Sequence, residues 1–142
     1  MIIPDVNILL YAVFDQMPQH ERAHAAWQSI LNGDEEVGMA GPGLFGFVRL
    51  ATSARVFDRP LDVQAALGLV ESWLERPQVH FLTPGTRHLE IAFHLMRKLG
   101  TAGNLTTDVQ LAALAIEHQA DLLSNDSDFA RFEGLRWRNP LS

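Results

Sequence analysis

Strand-like and helical segments alternate regularly along this sequence. Short apolar runs at Ile2 to Pro4, Val37 to Ala40, Val79 to Leu82 and Ala120 to Ser124 are separated by segments with helical periodicity. Strands joined by intervals of a dozen or more residues pair in parallel, because a hairpin needs only a short turn. The expected fold is therefore α/β, a three-layer sandwich around a short, mostly parallel sheet of about five strands, with Leu135 to Trp137 as the fifth. At 142 residues, one domain spanning 1–142 is expected, with no linker or internal repeat.

Local signals place the helices. His20 to Leu31 carries Ala23, Trp27, Ile30 and Leu31 on one face and stops at Asn32-Gly33. Leu44 to Thr52 reads as a mostly buried helix. Asp62 caps another in which Val63, Leu67, Val70 and Leu74 recur at helical spacing, and Pro77 closes it. A helix from about Thr86 to Leu99 is expected to turn Leu89, Phe93, Met96 and Leu99 inward. Thr107 and Gln110 have capping-box spacing, which makes Thr107 the expected N-cap of a helix ending near His118, with Asp108 in its first turn.

In an open parallel sheet, ligands bind beyond the carboxyl ends of the strands. Asp5 and Asp126 follow the first and fourth strands, and Asp108 opens a helix on that same side. Each has a bland explanation alone: an acid favours a helix start, and Asp128 can simply open a short helix at Phe129 to Phe132. Together with Asp128 they form a carboxylate cluster whose mutual repulsion a hard cation such as Mg²⁺ or Mn²⁺ relieves, an arrangement suited to phosphodiester hydrolysis. The chain has no cysteine, so thiolate metal sites and disulfides are excluded. The net charge of −6 argues against a broadly basic nucleic-acid surface, so phosphate contacts must be local. Arg49, Arg55 and Arg131, with Arg59, Arg136 and Arg138, are the candidates to guide an RNA strand.

Three blocks in order, Asp5-Val6-Asn7-Ile8-Leu9-Leu10-Tyr11-Ala12, Thr107-Asp108-Val109-Gln110-Leu111-Ala112-Ala113-Leu114-Ala115 and Ser124-Asn125-Asp126-Ser127-Asp128-Phe129, resemble the acidic blocks of PIN domains, most closely the VapC toxin branch. Phe47-Val48-Arg49-Leu50-Ala51-Thr52 and the terminal Arg136-Trp137-Arg138-Asn139-Pro140 extend the likeness nearly end to end. The resemblance implies the toxin of a type II toxin–antitoxin system: a Mg²⁺- or Mn²⁺-dependent endoribonuclease, often homodimeric, paired with a VapB-type antitoxin. Carried over by position, Asp5 and Asp108 are metal ligands, Asp126 a further ligand directly or through water, and Asp128 an outer acid. Asn7 and Ser124 orient the acids and water. One departure concerns metal number: many relatives carry a glutamate where this chain has Gly46, which favours one well-held ion.

Three other patterns are set aside. His20-Glu21-Arg22-Ala23-His24 matches the zinc-protease spacing H-E-x-x-H but has no third ligand downstream, so a solvated helix face is expected. Gly41-Pro42-Gly43-Leu44-Phe45-Gly46 matches a dinucleotide fingerprint without the acidic residue that should end the next strand. A phosphotransfer domain with Asp5 as nucleophile needs a nearby lysine, and Lys98 is expected on the wrong side of the sheet. A catalytically weak interaction module of the same fold is the alternative from another class. No apolar run approaches the roughly 20 residues needed to span a bilayer and no basic leader is present, so a cytoplasmic protein is expected.

Overall fold

A computed structural model describes all residues, 1–142. Five strands form one wholly parallel sheet: β1 (Ile2–Pro4), β2 (Val37–Ala40), β3 (Val79–Leu82), β4 (Asp121–Leu123) and β5 (Arg136–Arg138), in the order β3-β2-β1-β4-β5. The chain first grows outward from β1 through β2 to β3, then crosses back to lay β4 on the other side of β1. The reversal of order lies between β1 and β4, and the crevice at such a point is where open sheets bind ligands.

Alternation along the strands divides the core. Ile2 belongs to the apolar cluster on one face, with Trp27, Met39, Phe47 and Trp73, whereas Ile3 and Leu122 belong to the other, with Ile91, Leu95 and Leu111. The first cluster is covered by α1 (Val6–Val13), α2 (His20–Leu31), α3 (Gly41–Ala51) and α4 (Val63–Leu74), the second by α5 (His88–Leu99) and α6 (Thr106–Glu117). The expected three-layer sandwich is thus realised. Trp27 is buried, and its ring meets Trp73 edge-on at 5.6 Å.

The apolar stretch after Asp5 is a helix, α1, for which Asp5 is the N-cap. Three local expectations need correction. The third helix begins at Gly41 rather than Leu44, because Pro42 in its first turn needs no backbone N–H partner there. Thr107 is not an N-cap: α6 already starts at Thr106, whose hydroxyl donates to the carbonyl of Gly103, the first residue of the preceding 3₁₀ turn, Gly103–Leu105. On α5 the inward face is Ile91, Ala92 and Leu95, while Leu89 and Phe93 are exposed. Two apolar stripes exist on that helix, and packing against α6 selects the one with the small Ala92. The Asp62 cap is as expected, its Oδ1 accepting from Ala65 N at 2.7 Å.

Candidate active site

Three elements end or begin at one edge of the sheet. Asp5 leaves β1 with its N–H still donated to the Leu123 carbonyl of β4 at 2.8 Å, and Ser124 leaves β4 with its N–H donated to the Arg138 carbonyl of β5 at 3.1 Å. These bonds extend the ladder by one residue and hold both side chains rigidly. Asp108 lies in the first turn of α6, where the helix dipole favours an acid.

Asp5 and Asp108 line one open cleft of about 510 Å³, whose other wall is the face of α3 bearing Pro42, Phe45, Gly46 and Arg49. Of the three buried polar residues in the protein, two are here, Asp5 and Ser124. Both are tied into one hydrogen-bond network, which leaves further lone pairs on the Asp5 oxygens. Ser124 Oγ donates to Asp5 Oδ2 at 2.7 Å and accepts from Asn7 Nδ2 at 3.2 Å and from Asp126 N at 3.0 Å. Asp5 Oδ1 accepts from Val6 N at 2.7 Å, and Asn7 Oδ1 accepts from Asn125 N at 3.4 Å. Asp126 caps the 3₁₀ turn Ser127–Arg131 by accepting from Asp128 N at 2.9 Å, which fixes the spacing between these two acids.

The carboxylates feel one another. Burial raises the Asp5 pKa, the Asp126 charge adds to the rise, and the bonds from Ser124 and Val6 N oppose it. Asp108 is pushed up to about 6, first by burial and then by the charges of Asp5, Asp126 and Asp128. The four acids therefore share a field, although no three acidic or histidine side chains converge on a single point within ligating reach. The donor set is all oxygen and strongly anionic, which matches a hard divalent cation and not a soft one. Histidine and sulfur are absent from it.

Of the six arginines considered for RNA, Arg49 alone lines the cleft; Arg59 lies outside it, and Arg136 and Arg138 pair with Asp121. Arg55, just past α3, and Arg131, at the end of the 3₁₀ turn, are exposed outside it. Lys98 pairs with Glu133 at 3.7 Å, remote from Asp5. Several wall residues escaped sequence reasoning. Phe45 is 75% exposed on the cleft wall, one turn from Arg49, a spacing that could have flagged the pair once α3 was known to start at Gly41. Trp137 Nε1 donates to the Ser124 carbonyl at 2.9 Å and Asn139 Nδ2 to Asn125 Oδ1 at 3.2 Å, so the carboxyl-terminal segment braces the loop that carries Ser124 and Asp126.

Gly46 faces the same cleft. A Cβ there would stand 2.9 Å from Val6 Cγ2, so Val6 occupies the room that a longer side chain at this position needs.

Comparison with known proteins bears on the whole chain. The PIN domain family model matches residues 2–135. Ribonuclease VapC33 of Mycobacterium tuberculosis is 57% identical over 141 residues, covering 99% of both chains. Ribonuclease VapC37 of the same organism is 44% identical, covering 99% of this chain and 97% of that one. Among solved structures, VapBC2 from Rickettsia felis, bound to a DNA fragment from its promoter, superposes with a TM-score of 0.71 at 17% identity, covering 98% of each chain.

Proposed function

This chain belongs to the PIN domain family, in its VapC ribonuclease branch, and on that footing we propose that it is a metal-dependent endoribonuclease acting as the toxin of a toxin–antitoxin pair. The observation that carries the reading is the placement of Asp5 and Asp108 in one cleft, each with a raised pKa, in a chain 57% identical to a named ribonuclease. The domain is taken as the full 1–142.

Asp5 and Asp108 would hold the ion, with Asp126 a further ligand directly or through water, and Mg²⁺ or Mn²⁺ suits that oxygen set. When bound, such a cation neutralises phosphate charge and makes water a better nucleophile. The protein's own residues do the rest. Ser124 holds Asp5 in one rotamer, and Asn7 holds Ser124. Asp126 Oδ2, which the Asp128 amide leaves free, accepts the proton of the attacking water, and the exposed Asp128 passes it to solvent. Arg49 engages a phosphate of the strand beside the one cut. Gly46 adds no carboxylate to this arrangement, consistent with one tightly held ion.

Partner assignments follow the same reading. A VapB-type antitoxin is the expected protein partner, as the Rickettsia structure is of a VapBC assembly. Leu89 and Phe93, one turn apart and exposed on α5, give a second copy of the chain an apolar surface to cover. No helix is long and apolar enough to cross a membrane. A cytoplasmic location accords with an RNA substrate.

The test is cleavage of a structured RNA by tag-free protein with Mg²⁺ or Mn²⁺, beside chelator and the variants Asp5→Asn and Asp108→Asn. Activity confined to the unmodified chain with metal supports the reading. A folded wild-type protein that leaves RNA intact would instead favour an interaction module, for which the missing carboxylate at Gly46 is the structural argument. Cleavage undiminished in both variants overturns the site.

A further inference from the structure

The histidine pair of the H-E-x-x-H segment has a geometry that a solvated helix face does not require. His20 and His24 lie one turn apart on α2, and both turn Nδ1 onto the end of α1: His20 Nδ1 to the Tyr11 carbonyl at 2.8 Å, His24 Nδ1 to the Ala12 carbonyl at 3.2 Å. A carbonyl oxygen only accepts, so each Nδ1 carries the proton and each neutral ring keeps its lone pair on Nε2. Neither Nε2 has a hydrogen-bond partner in the protein.

Capping the last carbonyls of α1 explains the Nδ1 contacts and leaves the other nitrogen idle. A backbone carbonyl behind each imidazole is also what fixes the tautomer and orientation of metal-binding histidines. The ring centres stand 5.3 Å apart with planes tilted by 34°. With a zinc–nitrogen distance of about 2.0–2.1 Å, two imidazoles bound to one tetrahedral ion place their ring centres roughly 5.2 Å apart. His24 is exposed and His20 half-buried, so the remaining coordination positions open to solvent.

We infer that His20 and His24 form a two-histidine site for a borderline divalent ion, Zn²⁺ above all, completed by water. It is not a protease centre, since no third histidine or acid converges with the pair. Nor does it compete with the aspartate cleft, because imidazole selects Zn²⁺, Ni²⁺ and Cu²⁺ whereas carboxylates select Mg²⁺ and Mn²⁺. Its effect is mechanical. An ion bridging the two rings locks α2 to the carboxyl end of α1, whose amino end begins at Asp5.

The test uses Zn²⁺ alone, titrated into the full tag-free chain in Asp108→Asn form, so that metal at the aspartates is suppressed and failure of the nuclease reading cannot masquerade as failure here. One equivalent per chain is expected, with the imidazole proton resonances of His20 and His24 shifting while those of His80, His88, His94 and His118 stay fixed. His20→Asn and His24→Asn each keep an amide donor near the Nδ1 position but lose the ligand, and each should weaken binding about tenfold or more. The wild-type spectrum decides the matter if either variant fails to fold. Absence of binding, unshifted His20 and His24 resonances, or affinity unchanged in both asparagine variants overturns the proposal.

Discussion

Ser124 Oγ donates its only proton to Asp5 Oδ2 at 2.7 Å, joining residues 119 positions apart in the chain and both buried. That bond is one of two that hold down the pKa of a carboxyl which burial drives up. In Ser124→Ala the Asp5 oxygen loses its donor, and Asn7 Nδ2 and Asp126 N lose their acceptor. The Asp5 pKa then rises further, so the acidic limb of the RNA-cleavage pH profile moves to higher pH. Stability falls by about 1–3 kcal/mol in denaturant titration. An unmoved acidic limb would show that this hydroxyl does not set the charge on Asp5.

Asp108 makes stability depend on pH in the direction opposite to a salt-bridged acid. Its pKa is about 6 in the folded chain against an ordinary 3.8, so between those values the folded state binds more protons than the unfolded one. Stability in chelator should therefore fall as pH rises through that window and then level off. Asp5 adds to the same slope. Asp108→Asn flattens it and, above pH 6, gains on the order of 1 kcal/mol after allowance for solvent screening. Thermal melts across pH in chelator measure both.

Restoring a divalent cation should reverse that penalty. With Mg²⁺ or Mn²⁺ in excess, the wild-type melting temperature above pH 6 rises and its pH slope shrinks, because an ion that binds only the folded state stabilises it by mass action. Asp108→Asn should respond less. Equal responses in the two proteins would place the ion elsewhere.

Val6 and Gly46 compete for one space. Alanine is the better helix former by about 1 kcal/mol, yet Gly46→Ala should destabilise by on the order of 1 kcal/mol, because its Cβ must displace Val6 Cγ2 from 2.9 Å. Val6→Ala removes the obstruction. In a double-mutant cycle the pair should couple by about 0.5–2 kcal/mol, with the double variant more stable than the two single effects sum to.

Among the arginines, position in the cleft separates Arg49 from Arg55 and Arg131. Arg49→Ala should raise KM for RNA about tenfold, as expected for loss of a charge-assisted phosphate contact, and reduce the salt dependence of binding by roughly one phosphate's worth. Arg55→Ala and Arg131→Ala should stay within about twofold. Comparable losses in all three would mean that the strand runs well outside the cleft.

The layered architecture, the strands to within a residue and the Asp62 cap were legible in the amino-acid sequence, as was the nearness of Asp5, Asp108, Asp126 and Asp128 to one another. These are readable because strand burial, helix periodicity and capping each depend on neighbours a few residues away. Packing settled the remainder: which stripe of α5 faces inward, that the helix bearing Asp108 opens at Thr106, and how Ser124, Asn7 and Trp137 hold the acids. It also decided that Val6 fills the space beside Gly46 and that the two histidines of α2 turn their Nδ1 atoms onto α1. The bonds of Ser124 to Asp5 and Asn7 form only once β4 lies beside β1, and the helix contacts depend on which faces meet when the layers pack, so neither leaves a trace in local spacing.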